Sequence, residues 1–228
     1  VFLLSLSIGF LIGAAIQRVT IQPIANDPPV NLLIVAIGLF IVINNLTGMV
    51  WGYDPYTFPP LFSNAPVELL GTRITPNSIG MIAVALAVMA ALYLFFEKSR
   101  EGIAMRATSM NRRAAELMGI RVPHVWMLAW GLAGAIGGVA GVLTAPVTFL
   151  DFEMMVAVLL KAFAGAILGG FNSLPGAVIG GLTIGVLETA FGALISTTFK
   201  DTFAFGIIIL VLMFRPTGLF GRSGIKKV

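Results

Sequence analysis

The sequence predicts an all-α membrane protein, a polytopic bundle of about seven transmembrane helices. Of its 228 residues, 58% are hydrophobic and only 11% are charged, and the mean hydropathy is +0.99. A soluble domain carries roughly 25% charged residues, so the composition excludes an ordinary globular protein. The apolar residues also form runs close to the roughly 20 residues that a helix needs to cross a bilayer. The 26 glycines agree, because glycine is commoner in membrane helices than in soluble ones.

Polar breaks divide the chain into seven candidate spans. In chain order these are residues 1–16, 31–51, 77–96, 124–145, 154–171, 176–195 and 202–214. The last run is short for a span and requires tilting or local thinning of the bilayer. The fifth and sixth runs are so close together that they form either two full spans or a re-entrant hairpin buried in protein. Because Val1 already lies in an apolar run, we expect a longer protein with one or two further N-terminal spans.

The distribution of basic residues predicts the orientation. If the seven spans alternate in direction, eleven Lys and Arg residues fall on one side, and only Arg73 and Lys200 fall on the other. Cytoplasmic loops carry an excess of Lys and Arg. The basic side and the C-terminus are therefore expected in the cytoplasm, and the loop over residues 52–76 outside. The net charge of +4 does not indicate nucleic-acid binding, because the basic residues flank membrane spans.

A basic island over residues 97–123 has the pattern of a short capped helix. Ser109 is the expected N-cap and Gly119 the expected C′ residue. Between them, apolar side chains share one helical face and charged ones the other, and a preceding turn over 103–107 extends the apolar stripe. The apolar set is Met110, Ala114, Leu117 and Met118, and the charged set is Arg112, Arg113 and Glu116. The island is either a solvated loop or a surface helix that contacts a cytoplasmic protein.

Several kinds of chemistry are excluded by residue types. The chain has no cysteine and one histidine, His124, so disulfides, thiolate sites and histidine-based metal sites or triads are not expected. It has no phosphate-binding loop of the Gly-x-x-x-x-Gly-Lys-[Ser/Thr] type. We therefore expect no enzyme activity, cofactor or metal. Any ATP-driven process in which the chain takes part would need its ATPase on a separate polypeptide.

Two charged residues lie inside apolar runs. Lys161 is in the fifth run, and Glu188 is the acidic residue of the sixth. A charge at the bilayer centre costs at least about 2.5–3.5 kcal/mol on insertion scales. A Lys161–Glu188 pair would neutralise both charges, as a structural contact or as part of a gate. Alternatively, Lys161 extends its amine to the membrane surface.

Glycines repeat at four-residue spacing in the last spans. The pairs are Gly134/Gly138, Gly137/Gly141, Gly165/Gly169, Gly176/Gly180 and Gly181/Gly185. Small residues at this spacing let helix backbones approach closely. We expect close helix packing at these positions, including packing against a second membrane subunit.

The island resembles the coupling loop of ABC-importer permeases. Arg113-Ala114-Ala115-x-x-x-Gly119 is similar to the EAA-x-x-x-G pattern of that loop, although Arg113 stands where the pattern has Glu. The similarity is closest to permeases of branched-chain amino-acid importers and covers nearly the whole chain. Further matching segments are Gly102-x-Ala104-Met105-Arg106-Ala107-Thr108, Lys161-Ala162-Phe163, Leu168-Gly169-Gly170-Phe171, Pro175-Gly176-Ala177 and Phe214-Arg215-Pro216-Thr217-Gly218-Leu219-Phe220-Gly221.

The resemblance implies a function and partners. Residues 1–228 are expected to form one permease domain in the cell (inner) membrane, moving Leu, Ile or Val with a second homologous permease and an external substrate-binding protein. Two cytoplasmic ABC ATPase subunits are expected to dock on a helix over 103–119. The expected coupling residues are Arg106, Asn111, Arg113, Ala114, Ala115, Glu116 and Gly119.

Other interpretations stay open. The chain fits an ABC permease for urea, amides or other amino acids. It also fits an ion-coupled secondary transporter in which Lys161 and Glu188 form the coupling pair, although the two halves show no clear repeat of the kind such folds often have. A third alternative is a membrane scaffold that transports nothing.

Overall fold

The fold is known from a computed structural model that describes residues 1–25, 27–62, 67–69, 72–170, 173–215 and 218–221. These residues are mainly α-helical, as the sequence predicts. The chain divides into two units, Val1–Met154 and Met155–Val228.

The first unit contains six α-helices, counted over the described ranges. They are α1 (Phe2–Ile16), α2 (Pro29–Trp51), α3 (Pro76–Lys98), α4 (Arg100–Met110), α5 (Arg112–Leu117) and α6 (Val122–Thr148). A π-helical turn, Gln17–Ile21, and a 3₁₀ turn, Gln22–Ile24, continue α1. Two short antiparallel strands, β1 (Val67–Leu69) and β2 (Thr72–Ile74), lie between α2 and α3. This hairpin was not predicted.

The second unit is built from α7 (Met154–Gly169), whose first residue belongs to the first unit, α8 (Leu174–Leu194) and α9 (Lys200–Phe214). Ala164, Leu168 and Ile184 form its buried core, against which Ile207, Ile208 and Val211 of α9 pack. The aliphatic residues that make these helices apolar therefore also hold them together.

Five helices are long and apolar enough to cross a membrane. They are Phe2–Ile24, Val30–Trp51, Pro76–Lys98, Val122–Thr148 and Pro175–Leu194. They coincide with five of the seven predicted spans. The other two predicted spans correspond to shorter apolar helices, Met154–Gly169 and Phe205–Phe214. At 1.5 Å per residue, α7 is about 24 Å long and α8 about 32 Å, against a hydrocarbon core of about 30 Å.

Glycine lets α1 and α6 approach each other closely. A Cβ added at Gly134 would meet the backbone of Gly9, and one added at Gly138 would meet the backbone of Ser5. The predicted packing role of the Gly134/Gly138 pair is therefore confirmed. Gly137 behaves differently, because a Cβ there meets no described atom within 4 Å.

Glycines also form the close contact between α7 and α8. Gly165 lies against Gly181, Gly169 lies against Gly176, and Gly180 lies against the backbone of both Gly165 and Gly169. These contacts confirm close packing for two more of the predicted pairs. At Gly185 an added Cβ would have no described atom within 4 Å, so the spacing overpredicts contacts at this position.

The segment after α9 closes the carboxyl end of α7. The backbone N–H of Leu219 donates to the carbonyl of Leu168 at 2.8 Å, and that of Phe220 donates to Gly169 at 3.1 Å. Carbonyls in the last turn of a helix have no partner within the helix. Gly218, with φ of 78°, makes the turn that aligns these donors. The segment therefore has a structural role within the second unit.

Candidate functional site

The basic island folds into two helices rather than the single expected helix over 103–119. Ser99 caps α4, because its hydroxyl accepts the N–H of Gly102 at 2.9 Å. At Asn111 the backbone is extended, with φ of −157° and ψ of 103°, and the helix is interrupted. The prediction of Ser109 as the N-cap is wrong, since its hydroxyl donates to the carbonyl of Arg106 inside α4.

Asn111 caps α5 instead. Its side-chain oxygen accepts the N–H of Ala114 at 3.0 Å, which is the bond that an N-cap residue makes. The other end of α5 is as predicted. Gly119 has φ of +84°, and Ile120 N–H donates to the carbonyl of Ala115 at 3.0 Å. This left-handed glycine and the long closing bond form a Schellman-type C-terminus.

The face predicted to be apolar is exposed. Met110 is 87% exposed, Leu117 is 89% exposed and Met118 is 82% exposed. Ala114 is exposed beside them, whereas Ala115 is 3% exposed and faces the interior. These three large side chains lie in a charged segment between two candidate spans, and no described residue covers them. Exposed apolar side chains that lie together favour an interaction site.

Arg112 anchors α5 to the rest of the first unit. Its guanidinium lies 4.7 Å from the ring centre of Trp126 in α6, and its Nη1 donates to the carbonyl of Ala25 at 3.4 Å. Its Nε also donates to Glu116 at 3.0 Å. Sequence reasoning placed Arg112 on the outer face with Glu116, but missed its anchoring role. That role requires Trp126 to be nearby, which spacing within the island does not reveal.

The seven expected coupling residues have different surroundings. Arg106 forms an ion pair with Glu97 at 2.9 Å. Asn111 is a cap, Ala115 is buried, Glu116 pairs with Arg112, and Gly119 ends α5. Arg113 and Ala114 are exposed, so their side chains are available to a partner. The geometry therefore separates residues that hold the loop in shape from residues that present a surface.

Lys161 and Glu188, the charged residues of the fifth and sixth apolar runs, contact each other. Lys161 of α7 donates to Glu188 of α8 at 2.7 Å, and Glu188 is 7% exposed. Lys161 is seven residues from the start of α7, and Glu188 is six residues from the end of α8. At 1.5 Å per residue the pair lies about 9–10 Å inside the helix ends.

Lys200 is a third member of this charge cluster that sequence reasoning missed. Its Nζ lies 4.0 Å from the same Glu188 oxygen. Lys200 begins α9, and only residues 195–199 connect it to α8. That short connection was the available signal, because it keeps the start of α9 near the last turns of α8. Across the described residues, no group of three or more His, Asp or Glu side chains is placed to hold a metal.

The family is decided by a comparison with known protein families. A family model described as "Branched-chain amino acid transport system / permease component" matches residues 1–212. The chain belongs to this permease family. It is thus a multi-pass membrane transport component, and the resemblance seen in the sequence is confirmed.

Relatives agree with the family model. The permease is 35% identical over 225 residues to the high-affinity branched-chain amino acid transport system permease protein LivH of Escherichia coli K12, covering 95% of this chain and 72% of LivH. It is also 35% identical to the corresponding permease protein BraD of Pseudomonas aeruginosa, covering 100% of this chain and 76% of BraD. The nucleoside ABC transporter permease protein NupC of Lactococcus lactis is 29% identical, over 82% of this chain and 62% of NupC. No solved structure matches the chain.

Proposed function

We propose that this chain is the membrane-spanning subunit of an ATP-driven importer for the branched-chain amino acids Leu, Ile and Val. Separate ATPase subunits dock on the α4–α5 loop. The observation that carries the proposal is the exposure of Met110, Leu117 and Met118 in a charged loop between spans. The names of LivH and BraD support the substrate class.

The loop is proposed to face the cytoplasm. Contacts between connecting segments support alternate threading of the spans in the first unit. Arg112 reaches the carbonyl of Ala25, which ties the α4–α5 loop to the segment between α1 and α2. Tyr56 and Leu150 exchange backbone hydrogen bonds of 3.0 and 2.8 Å, which ties the segments after α2 and α6 to each other. The first pair of segments carries basic residues, so the positive-inside rule favours the cytoplasmic side of a cell (inner) membrane protein for the loop. We propose the same side for the C-terminus.

The surroundings of the loop support transmission of force from an ATPase to the spans. Gly102 of α4 packs on the backbone of Phe95 in α3. Arg112 holds α5 to Trp126 of α6. A partner that grips Arg113, Ala114 and Leu117 would therefore move α3 and α6 together, because the loop is joined to both. Such motion switches the pathway between outward-facing and inward-facing states.

The rest of the proposed assembly follows from the family. Two ATPase subunits bind on the cytoplasmic side, a second homologous permease completes the pathway, and an external binding protein delivers the amino acid. Residues 1–228 act as one permease domain. The contribution of this chain is conformational, and ATP hydrolysis is carried out by its partners.

The test is coupled transport by the complex in proteoliposomes. Ala114→Glu adds a charge to the docking surface, and Gly119→Val forces a β-branched residue into a left-handed backbone at the end of α5. Both variants are expected to insert normally, yet to lose substrate-stimulated ATP hydrolysis and uptake together.

Gly119→Asn is the matched control, because Asn tolerates this backbone conformation at a helix end. It is expected to retain most uptake. Docking at α5 is contradicted if Ala114→Glu and Gly119→Val hydrolyse ATP and take up amino acid at the rates of the unaltered complex.

The second candidate is a secondary transporter driven by an ion gradient. The Lys161–Glu188 contact of 2.7 Å favours it, because paired intramembrane charges often mark ion pathways. The same proteoliposomes distinguish the two candidates. Uptake from an ion gradient without any ATPase would replace the importer, and uptake only with ATP would exclude gradient coupling. Competition by urea, amides, nucleosides and other amino acids then defines the substrate class.

A further inference from the structure

A cavity of about 690 Å³ lies where the turns after α1 meet the loop between α5 and α6. Its polar lining includes Gln17, Arg18 and Gln22 from the first segment, and Glu116, Arg121 and His124 from the second. Its lining includes Glu116 and Gly119 of the expected coupling set, but none of the exposed apolar residues Met110, Leu117 and Met118. Sequence reasoning did not identify it.

The floor of the cavity contains an unsatisfied polar group. Gln17 is 1% exposed, and its side-chain Nε2 has no hydrogen-bond partner among the described residues. Buried polar groups nearly always have a partner, and leaving one without any costs about 1–3 kcal/mol. Gln17 also begins a π-helical turn, a departure from α-helix that frequently lies at functional sites. Both observations indicate that Gln17 donates to a ligand.

The charges around the cavity favour an anion. Glu116 is neutralised by Arg112 at 3.0 Å, and His124 lies 3.8 Å from Glu101. The two other charged groups of the lining, Arg18 and Arg121, are exposed, and neither forms an ion pair with a described residue. The lining thus contains two guanidinium groups and the amides of Gln17 and Gln22, all of which can donate hydrogen bonds.

The position favours a lipid over a soluble anion. The cavity opens at the end of α1, and the apolar side chains along that helix are exposed, with Leu4 at 67% and Leu11 at 66%. Val19, next to Arg18, is 75% exposed. An anion with acyl chains can therefore place its head group among the arginines and its chains along α1. Basic pockets at the membrane ends of helices bind anionic lipid head groups in this way.

We propose that this cavity binds the phosphate of an anionic phospholipid, held by Gln17, Arg18 and Arg121. Because Glu116, Gly119 and Ile120 form another wall of the cavity, the bound lipid also braces the C-terminal end of α5 against α1. The site contains none of the residues that the ATPase is proposed to contact, Arg113, Ala114 and Leu117, and the proposal does not depend on the transported substrate.

The test is lipid binding by the purified permease, which requires neither ATPase nor transport. Native mass spectrometry counts bound phosphatidylglycerol against phosphatidylcholine. The unaltered permease is expected to retain phosphatidylglycerol preferentially. Arg18→Gln and Arg121→Gln are each expected to weaken retention about tenfold, the loss typical of one charge-assisted hydrogen bond. Arg100→Gln, which removes the same charge from an exposed residue outside the cavity, is the matched control and is expected to have no effect.

Gln17→Leu separates a binding role from a structural one. Removing an unsatisfied buried amide is neutral or stabilising, so the thermal midpoint of the lipid-free protein is expected to hold or rise while phosphatidylglycerol retention falls. Equal retention by Gln17→Leu and both arginine variants would overturn the proposal. An equal loss in Arg100→Gln would assign the binding to diffuse charge. Displacement of the lipid by inorganic phosphate at similar concentration would assign the site to a soluble anion.

Discussion

The α4–α5 loop and the α7–α8 helix pair each contain residues that are unusual for their surroundings, and the two regions differ in which kind of residue is out of place. The loop is rich in charge, yet it exposes Leu117 at 89% and Met118 at 82%. The α7–α8 pair is apolar, yet it holds Lys161 and Glu188 in contact at 2.7 Å. Each feature is costly by itself, because exposed apolar surface and intramembrane charge are both unfavourable.

The two regions differ in whether these unfavourable groups are compensated by contacts within the chain. Glu188 finds Lys161 and Lys200 within its own unit, so the charge cluster is satisfied inside the chain. Leu117 and Met118 are not covered by any described residue of the first unit. That unit contacts α5 through Ala115 and Arg112 instead. We expect the cover for the loop to be another protein. Changes at α7–α8 should affect folding, whereas changes on the exposed face of α5 should affect assembly.

The largest effect is expected from glycine contacts between α7 and α8. Gly180→Val places a branched side chain against the backbone of Gly165 and Gly169, which cannot yield as a side chain can. We expect at least about 3 kcal/mol of destabilisation, seen as loss of monodisperse protein in detergent. Gly185→Val on the same helix is the control, since a Cβ there meets no described atom. Equal yields of the two variants would contradict the observed crossing.

The second-largest loss of stability is expected from changes in the charge cluster of Lys161, Glu188 and Lys200. Glu188→Leu leaves two lysines without their shared carboxylate. We expect the free energy of unfolding to fall by about 2–3 kcal/mol, less than for a fully buried pair, because Lys161 is partly exposed. Lys161→Met is expected to cost less, because Lys200 remains 4.0 Å from Glu188. Thermal midpoints of both variants and of the double variant test this order. A larger loss in Lys161→Met than in Glu188→Leu would show that Lys200 does not compensate.

The smallest effect on stability is expected at the exposed face of α5. Leu117→Ser and Met118→Ser remove apolar groups that touch little, so the isolated permease should change by at most about 0.5 kcal/mol. Ala115→Ser is the buried comparison on the same helix and is expected to cost more. A fall in thermal midpoint for Leu117→Ser as large as that for Ala115→Ser would show that α5 packs through both faces.

The helices were predictable because hydrophobic runs and helix length depend on local sequence. All seven predicted spans correspond to helices, and five have the length and apolarity of a span. The break at Asn111 was not predictable, since Ser109 and Asn111 are both good N-cap residues. The contact of the neighbouring Arg112 with Trp126 is not visible in the spacing of the island either. The Lys161–Glu188 contact is one of the two arrangements that the sequence left open, because an intramembrane charge either pairs or extends to the membrane surface.

Other features depended on tertiary contacts that spacing does not encode. Gly134 and Gly137 look alike in the sequence, yet only Gly134 meets the backbone of α1. Whether each glycine faces a neighbouring helix depends on where α1 packs on α6. Likewise, Gln17 looks in the sequence like an ordinary polar residue at the end of a span. Its burial depends on the π-helical turn and on the loop that covers it.

The most direct test of the central claim is a footprint of α5 in the assembled complex. The chain has no cysteine, so a thiol introduced by Leu117→Cys reports on that position alone when labelling is read from the mass of the permease. Asp54→Cys, in the segment assigned to the opposite side, is the control. We predict that adding the ATPase subunits slows modification at position 117 about tenfold or more, with no change at position 54. Equal modification rates at position 117 with and without the ATPase subunits would contradict docking on α5.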